Sequence, residues 1–153
     1  GIYNALYSYN TIIPNDIIIV ENEISEFAYF GELNANLAIR SGASAAIIGG
    51  VTRDTAEVKK LGFPVFSKGS NCKDVRKRAT LESYNKTIEI EGLKISPSDL
   101  IFGDNDGIII IPKKHEEEIL KRAFEVIKTE SNILVDIANG VGVAKLTKEH
   151  GFF

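Results

Sequence analysis

The sequence predicts an α/β fold with a mixed sheet, helices packed on it and a helical C-terminal extension. Three observations predict it. Short apolar runs alternate with helical segments over residues 17–66, strand then follows strand from Ala79 onward, and the last third is helical in period from His115. With 153 residues and no internal repeat or interdomain linker, the chain reads as one domain able to bury a real core.

Each element has a local reason. Ile2, Ala5, Leu6 and Tyr9 recur at helical spacing. Pro14-Asn15-Asp16 turns the chain into Ile17–Val20, expected as a buried strand, and 21–29 is a connecting stretch. Leu33 to Ser41 reads as a helix stopped by Gly42, and Ala45 to Ile48 as a buried strand ended by Gly49-Gly50. Thr55 to Leu61 is a second helix stopped by Gly62, and Phe63–Phe66 a strand that Pro64 places near an edge. Thr87–Glu91 and Leu93–Ile95 alternate across Gly92 as a hairpin. Leu100–Phe102 and Ile108–Ile111 flank the turn Asp104-Asn105-Asp106-Gly107, and the run Ile108 to Pro112, the longest apolar stretch, is expected as a buried strand. Helices are expected from His115 to about Thr129 and from Asn132 to Ala138, closed by Asn139-Gly140.

Composition narrows the function. A net charge of -3 implies no general polyanion-binding surface. No apolar run is long enough to span a membrane and no signal-peptide pattern is present, so neither nucleic acid nor membrane is expected as a partner. Cys72 is the lone cysteine, which fits a reducing cytoplasm, the expected location. It lacks a nearby histidine, so it reads as a surface thiol despite the cations around it. A chain without Met that opens on Gly1-Ile2-Tyr3 is expected to be a segment of a gene product.

Chemistry concentrates in one βα unit. Glu32 is followed, after a gap of twenty residues, by Arg53-Asp54 and then by Glu57. The intervening helix runs roughly 15 Å one way. The strand after it runs roughly 16 Å back. Glu32 and Arg53-Asp54 should therefore return to one rim beside two helix N-termini. Other readings compete. Asp54-Thr55-Ala56-Glu57 has the spacing of a capping box, and Glu32 can serve simply as a first-turn acid facing the helix dipole. Arg53 resists such a reading, because a cation at a helix start opposes the dipole; a bound anion or an adjacent acid would explain it.

Other motifs are set aside. The Gly49-Gly50 loop lacks the spacing of a P-loop or dinucleotide fingerprint. Asp104–Gly107 lacks the downstream glutamate of a calcium loop. His115 and His150 have no partner His or Cys close by in the sequence and read as surface residues rather than zinc ligands. The run from Lys73 to Arg78 reads as a solvated surface rather than an RNA contact.

Together these residues carry a resemblance. Glu32, Arg53-Asp54 and Glu57 resemble the acid–Arg-Asp–acid signature of the 4-hydroxy-4-methyl-2-oxoglutarate aldolases, divalent-metal pyruvate aldolases that share a fold with RraA, the regulator of ribonuclease activity. Pro14–Val20, Leu61–Phe66, Pro97–Ile101 and Asp104–Pro112 resemble further segments of the same family in the same order, and residues 114–153 resemble the helical extension of its aldolase members. The resemblance implies a swivelling β/β/α fold of the phosphohistidine-domain type, lacking the family's N-terminal segment before Ile2. It implies cleavage of a 4-hydroxy-2-oxo diacid to pyruvate, with oxaloacetate decarboxylation as side reaction, in a homotrimer or hexamer with sites between subunits. It implies Mg²⁺ or Mn²⁺ on Asp54, with Glu32 and Glu57 reaching the metal through water and one of them serving the proton. Arg53 would hold the keto or enolate oxygen, and Gly31 with the backbone N–H groups of Leu33 and Asn34 the substrate carboxylate. Glu130 is the candidate acid from a neighbouring subunit. Asn34 departs from the family, standing where an apolar residue is usual. The alternative is a non-catalytic RraA-like regulator of a ribonuclease or other protein.

Overall fold

The structure, a computed structural model, describes residues 2–22 and 24–152; Gly1, Glu23 and Phe153, with the side chains of Ile2 and Tyr3, lie outside the described residues. The chain divides into two compact units, Gly1–Pro97 and Ser98–Phe153.

The first unit is built on a parallel sheet. β1 (Ile17–Val20), β2 (Ala45–Ile48) and β3 (Val65–Ser67) lie side by side in chain order. Ile17 pairs with Ala45 and Val20 with Ile48, while Ala46 pairs with Val65 and Ile48 with Ser67. Parallel strands need crossovers, supplied by α1 (Glu32–Ser41) and α2 (Thr55–Lys60). α1 ends at Gly42, whose φ of 93° lets its N–H reach back to Ala38 and Ile39. Ala35 and Ala38 are fully buried, so a small-residue face seats α1 in a core with Tyr9, Phe30, Ala46, Ile48, Val58 and Phe63. The rings of Phe30 and Phe63 stack with centroids 6.3 Å apart. Ahead of the sheet, Ile2–Thr11 is a 3₁₀ helix of ten residues rather than an α-helix, with the hydroxyls of Ser8 and Thr11 bonded to carbonyls three residues back. The unit closes on the hairpin β4 (Ile88–Ile90) and β5 (Leu93–Ile95).

Pro64 does precede an edge strand, and its carbonyl accepts the Ala46 N–H. β1 is not the buried strand its four apolar residues suggest. All four are only half-buried, because β1 is the other edge; β2, the centre strand, is buried throughout.

The second unit pairs β6 (Leu100–Gly103) with β7 (Ile108–Ile111), followed by α3 (Glu116–Ala138) and α4 (Val143–His150). Asp104 forms the turn, accepting the N–H groups of Asp106 and Gly107 on one carboxylate oxygen. β7 alternates in exposure instead of being buried: Ile109 is 58 % exposed and Ile111 buried, because a two-stranded hairpin covers only one face. The expected helix break near residue 130 is absent. Thr129 and Ser131 bond their hydroxyls to the carbonyls of Glu125 and Ile127, four residues back, and the helix runs on. α4 lies within the helical extension expected over residues 114–153, although no separate helix is predicted after Gly140. It starts after the Asn139-Gly140 turn, packs against α3, and leaves Ile133 on α3 and Leu146 on α4 buried. Among the described residues no helix is long and apolar enough to cross a membrane.

Candidate functional site

The rim of the parallel sheet continues beyond its strands as single bridges. Phe30 pairs with Thr52, and Thr52 with Ser70. Thr52, a buried polar residue, donates its hydroxyl to the Phe30 carbonyl at 2.7 Å, and the Arg53 N–H donates to the same carbonyl at 2.9 Å. This clamp sets Gly31-Glu32 against Arg53-Asp54. The α1 and β2 lengths do cancel: the Glu32 N–H donates to Asp54 Oδ2 at 3.1 Å.

Asp54 does not cap its own helix. It stands at the N-cap position of α2 but makes no side-chain bond there, and its φ of 55° lies in the left-handed region. An N-cap normally holds extended backbone, from which the carboxylate folds over the following amides. The left-handed twist instead accompanies a carboxylate that serves the first amide of α1. Aspartate is among the non-glycine residues that enter this region most readily, and its bond to the Glu32 amide helps hold it there.

Arg53 finds the adjacent acid that the dipole argument required, in part from a residue that sequence reasoning missed. Its Nη1 donates to Asp74 Oδ2 at 2.8 Å, while Nε stands 3.7 Å from Asp54 Oδ2. Nε is buried and has no hydrogen-bond partner. Asp74 sits inside the basic loop that reads as solvated surface. It is held by a bridge to Ala28 and by the Arg76 N–H on its other carboxylate oxygen. In the same loop Arg78 lies 4.8 Å from the ring centroid of Phe27.

Gly31 is required by this approach. A Cβ there would lie 2.5 Å from Asp54 Oδ2 and 2.9 Å from Arg53 Cγ. Its φ of -153° suits any residue, so the constraint is steric. Gly31→Ala should therefore part Arg53 from Asp54 more than it weakens the fold. We expect a stability loss of about 1–2 kcal/mol by denaturant unfolding, the lower range for overpacking. Wild-type stability would show that the two side chains yield freely.

The remaining predicted residues divide. Glu32 and Leu33 are exposed at the α1 N-terminus, where the N–H groups of Leu33 and Asn34 precede the first intrahelical bond, from Ala35 to the Gly31 carbonyl. Asn34 has a structural reason for its polarity: its Nδ2 donates to the Tyr9 hydroxyl at 3.1 Å. Burial, then the neighbouring Tyr29, pushes the Tyr9 hydroxyl far above its usual range, and burial raises Tyr29 as well, so both stay protonated. Glu57 is not drawn to Asp54. Its carboxylate takes both oxygens to Lys60, at 2.8 and 3.0 Å, on the exposed side of α2. Glu130 is an exposed residue of α3 in the second unit. A depression of about 320 Å³ lies between α2 and β3, lined by Thr52, Val58, Phe63 and Ser70, and excludes Arg53 and Asp54.

The donor set fits a hard, well-hydrated divalent ion. Asp54 is 41 % exposed, no described residue donates a hydrogen bond to its Oδ1, and no His or Cys stands with it. Among the described residues Glu32 and Glu57 do not join it in a tight ligand cluster. One carboxylate with water in the other positions makes an all-oxygen donor set.

Comparison with known proteins agrees with this architecture. A protein of Halalkalibacterium halodurans with the provisional name 4-hydroxy-4-methyl-2-oxoglutarate aldolase is 32 % identical over 111 residues, 72 % of this chain and 52 % of its own. The chain likewise spans only 23 % and 55 % of two other curated relatives it matches. The crystal structure of an uncharacterized protein from Pseudomonas syringae pv. tomato superposes with a TM-score of 0.83 at 26 % identity, covering 88 % of this chain and 68 % of that one. Streptomyces coelicolor RraAS2, described as an unusual member of the RNase ES inhibitor RraA family, shares the fold at a TM-score of 0.76 and 22 % identity, covering 85 % and 66 %. Residues 4–110 match the family described as Aldolase/RraA, and the chain belongs to that RraA-like family.

Proposed function

We propose that this chain carries the site of a divalent-metal-dependent pyruvate aldolase. It would cleave 4-hydroxy-2-oxo diacids, such as 4-hydroxy-4-methyl-2-oxoglutarate, to pyruvate and a second carbonyl product, with oxaloacetate decarboxylation as a side reaction. One observation carries the reading. Arg53 is pinned by Asp74 through one nitrogen, while its buried Nε lacks an acceptor beside an exposed carboxylate. The Arg53 side chain is still a third exposed, so a guanidinium held in this way can face an oxygen that gains negative charge. The name of the Halalkalibacterium halodurans relative supports the same chemistry.

In this reading Arg53 holds the 2-oxo oxygen and opposes the charge that builds there. The Leu33 and Asn34 N–H groups, reached past the bare Gly31, orient the substrate carboxylate at the positive end of α1. Asp54 holds Mg²⁺ or Mn²⁺, which when bound polarises the 2-oxo group. Glu32, next to Asp54 through its backbone, orders water and moves the proton; Glu57, committed to Lys60, acts at most through water. A homotrimer or hexamer would bring Glu130 of a neighbouring subunit as a further acid.

The test is pyruvate release from oxaloacetate and from 4-hydroxy-4-methyl-2-oxoglutarate. Release is expected with Mg²⁺ or Mn²⁺, should cease with a chelator, and should return when the metal is restored. Turnover undiminished by the chelator removes the metal from the reading. No turnover of either substrate by folded, metal-loaded protein replaces it with the alternative, a regulator that binds a ribonuclease or another protein.

A further inference from the structure

The second unit holds a cluster that the proposed reaction does not use. His150, the last residue of α4, places Nε2 2.8 Å from Asp136 Oδ2 on α3. Glu149 completes the group: one ligand atom from each of Asp136, Glu149 and His150 lies within 4.8 Å of the others. Among the described residues it is the one such group of His, Cys, Asp and Glu. It also lies past residue 110, beyond the segment matched to the family.

A hydrogen bond between His150 and Asp136 accounts for two members and leaves Glu149 unexplained. An acid in the last turn of a helix faces the negative pole of the helix dipole, so local stability does not favour Glu149 there. A second carboxylate beside Asp136 adds repulsion of its own. Lys145 answers Glu149 only loosely, at 3.8 Å, through a side chain 66 % exposed. A cation set among the three side chains would resolve all of this, because it meets two carboxylates and the negative end of α4 together.

We propose that Asp136, Glu149 and His150 form a binding site for a first-row divalent ion of the zinc class. One imidazole nitrogen and two carboxylate oxygens favour Zn²⁺ or Co²⁺ over Mg²⁺. Donors on one such ion sit about 3–3.5 Å apart, given metal–ligand bonds of about 2.0–2.2 Å. The His150–Asp136 pair is already near that spacing. The exposed Glu149 needs a rotamer change to close on it, letting go of Lys145. On binding, the metal takes the place of the hydrogen bond between Nε2 and Oδ2, and the neutral imidazole keeps its proton on Nδ1. The ion would clip α4 to α3 where Ile133 and Leu146 are already buried. Three protein ligands leave water in the remaining positions.

The test uses the full chain carrying Asp54→Asn, so that the site of the proposed reaction contributes nothing. Co²⁺ is added and followed by visible absorption, and Zn²⁺ by calorimetry. One equivalent per chain is expected, with a rise in melting temperature. Glu149→Gln, which leaves the His150–Asp136 bond intact, and His150→Gln should each weaken binding at least about tenfold. His115→Ala should change nothing. Absence of binding, or equal binding by Glu149→Gln, overturns the site and leaves a plain hydrogen bond between helices. Should Asp54→Asn fail to fold, the same titration on the unsubstituted chain in excess Mg²⁺ decides between the same two outcomes.

Discussion

Asp54→Asn is expected to abolish turnover while leaving the fold in place. Asparagine tolerates the left-handed backbone at this position, and its amide oxygen can still accept the Glu32 N–H. The cost to stability should stay below about 1 kcal/mol. That is a shift of about 2–4 °C in melting temperature for a chain of this size. What is lost is the anionic oxygen donor. Metal polarisation is worth several kcal/mol, so the rate should fall by at least about 10³. Pyruvate release alongside thermal melting decides it. A variant that turns over normally removes the carboxylate from the chemistry, and one that unfolds makes Asp54 a structural residue of α1.

Arg53→Ala should cost about 10²–10³ in rate, the scale for losing one donor to a developing oxyanion. The fold should barely notice. The 2.8 Å pair with Asp74 is lost, but both side chains are about a third or more exposed, so screening holds its worth to about 1 kcal/mol or less. The unpartnered buried Nε disappears with it, which offsets part of that loss. Arg53→Lys keeps the charge without the planar fork and should recover only part of the rate. If wild type, Arg53→Ala and Arg53→Lys release pyruvate from oxaloacetate equally fast, the guanidinium has no part in the reaction.

Much of this was legible in the sequence where the signal is local. α1, β2, α2 and the β4–β5 hairpin follow from period and from Gly42, Gly62 and Gly92, because backbone punctuation acts within a few residues. The meeting of Glu32 with Arg53-Asp54 followed from element lengths alone. Burial was less legible. Ile17–Val20 and Ile108–Ile111 are as apolar as β2, but burial depends on how many neighbours a strand has, and composition does not record that. The direction of the Asp54 side chain was hidden as well, since the capping spacing is satisfied on paper and one positive φ sends the carboxylate to a different helix. Asp74 was the hardest to see: it sits among lysines and arginines, and its contact with Arg53 spans 21 positions without a strand to announce it.

That contact separates two things usually read as one. The pattern Glu32, Arg53-Asp54, Glu57 is written in a βα unit, whereas the posture of its cation is written in a loop outside the pattern. A relative could keep every letter of the signature, lose its counterpart of Asp74, and present a guanidinium free to swing. Matching the signature thus certifies the parts and not their alignment. On the proposed reading, the acid in the downstream loop is therefore a residue to compare alongside the signature itself.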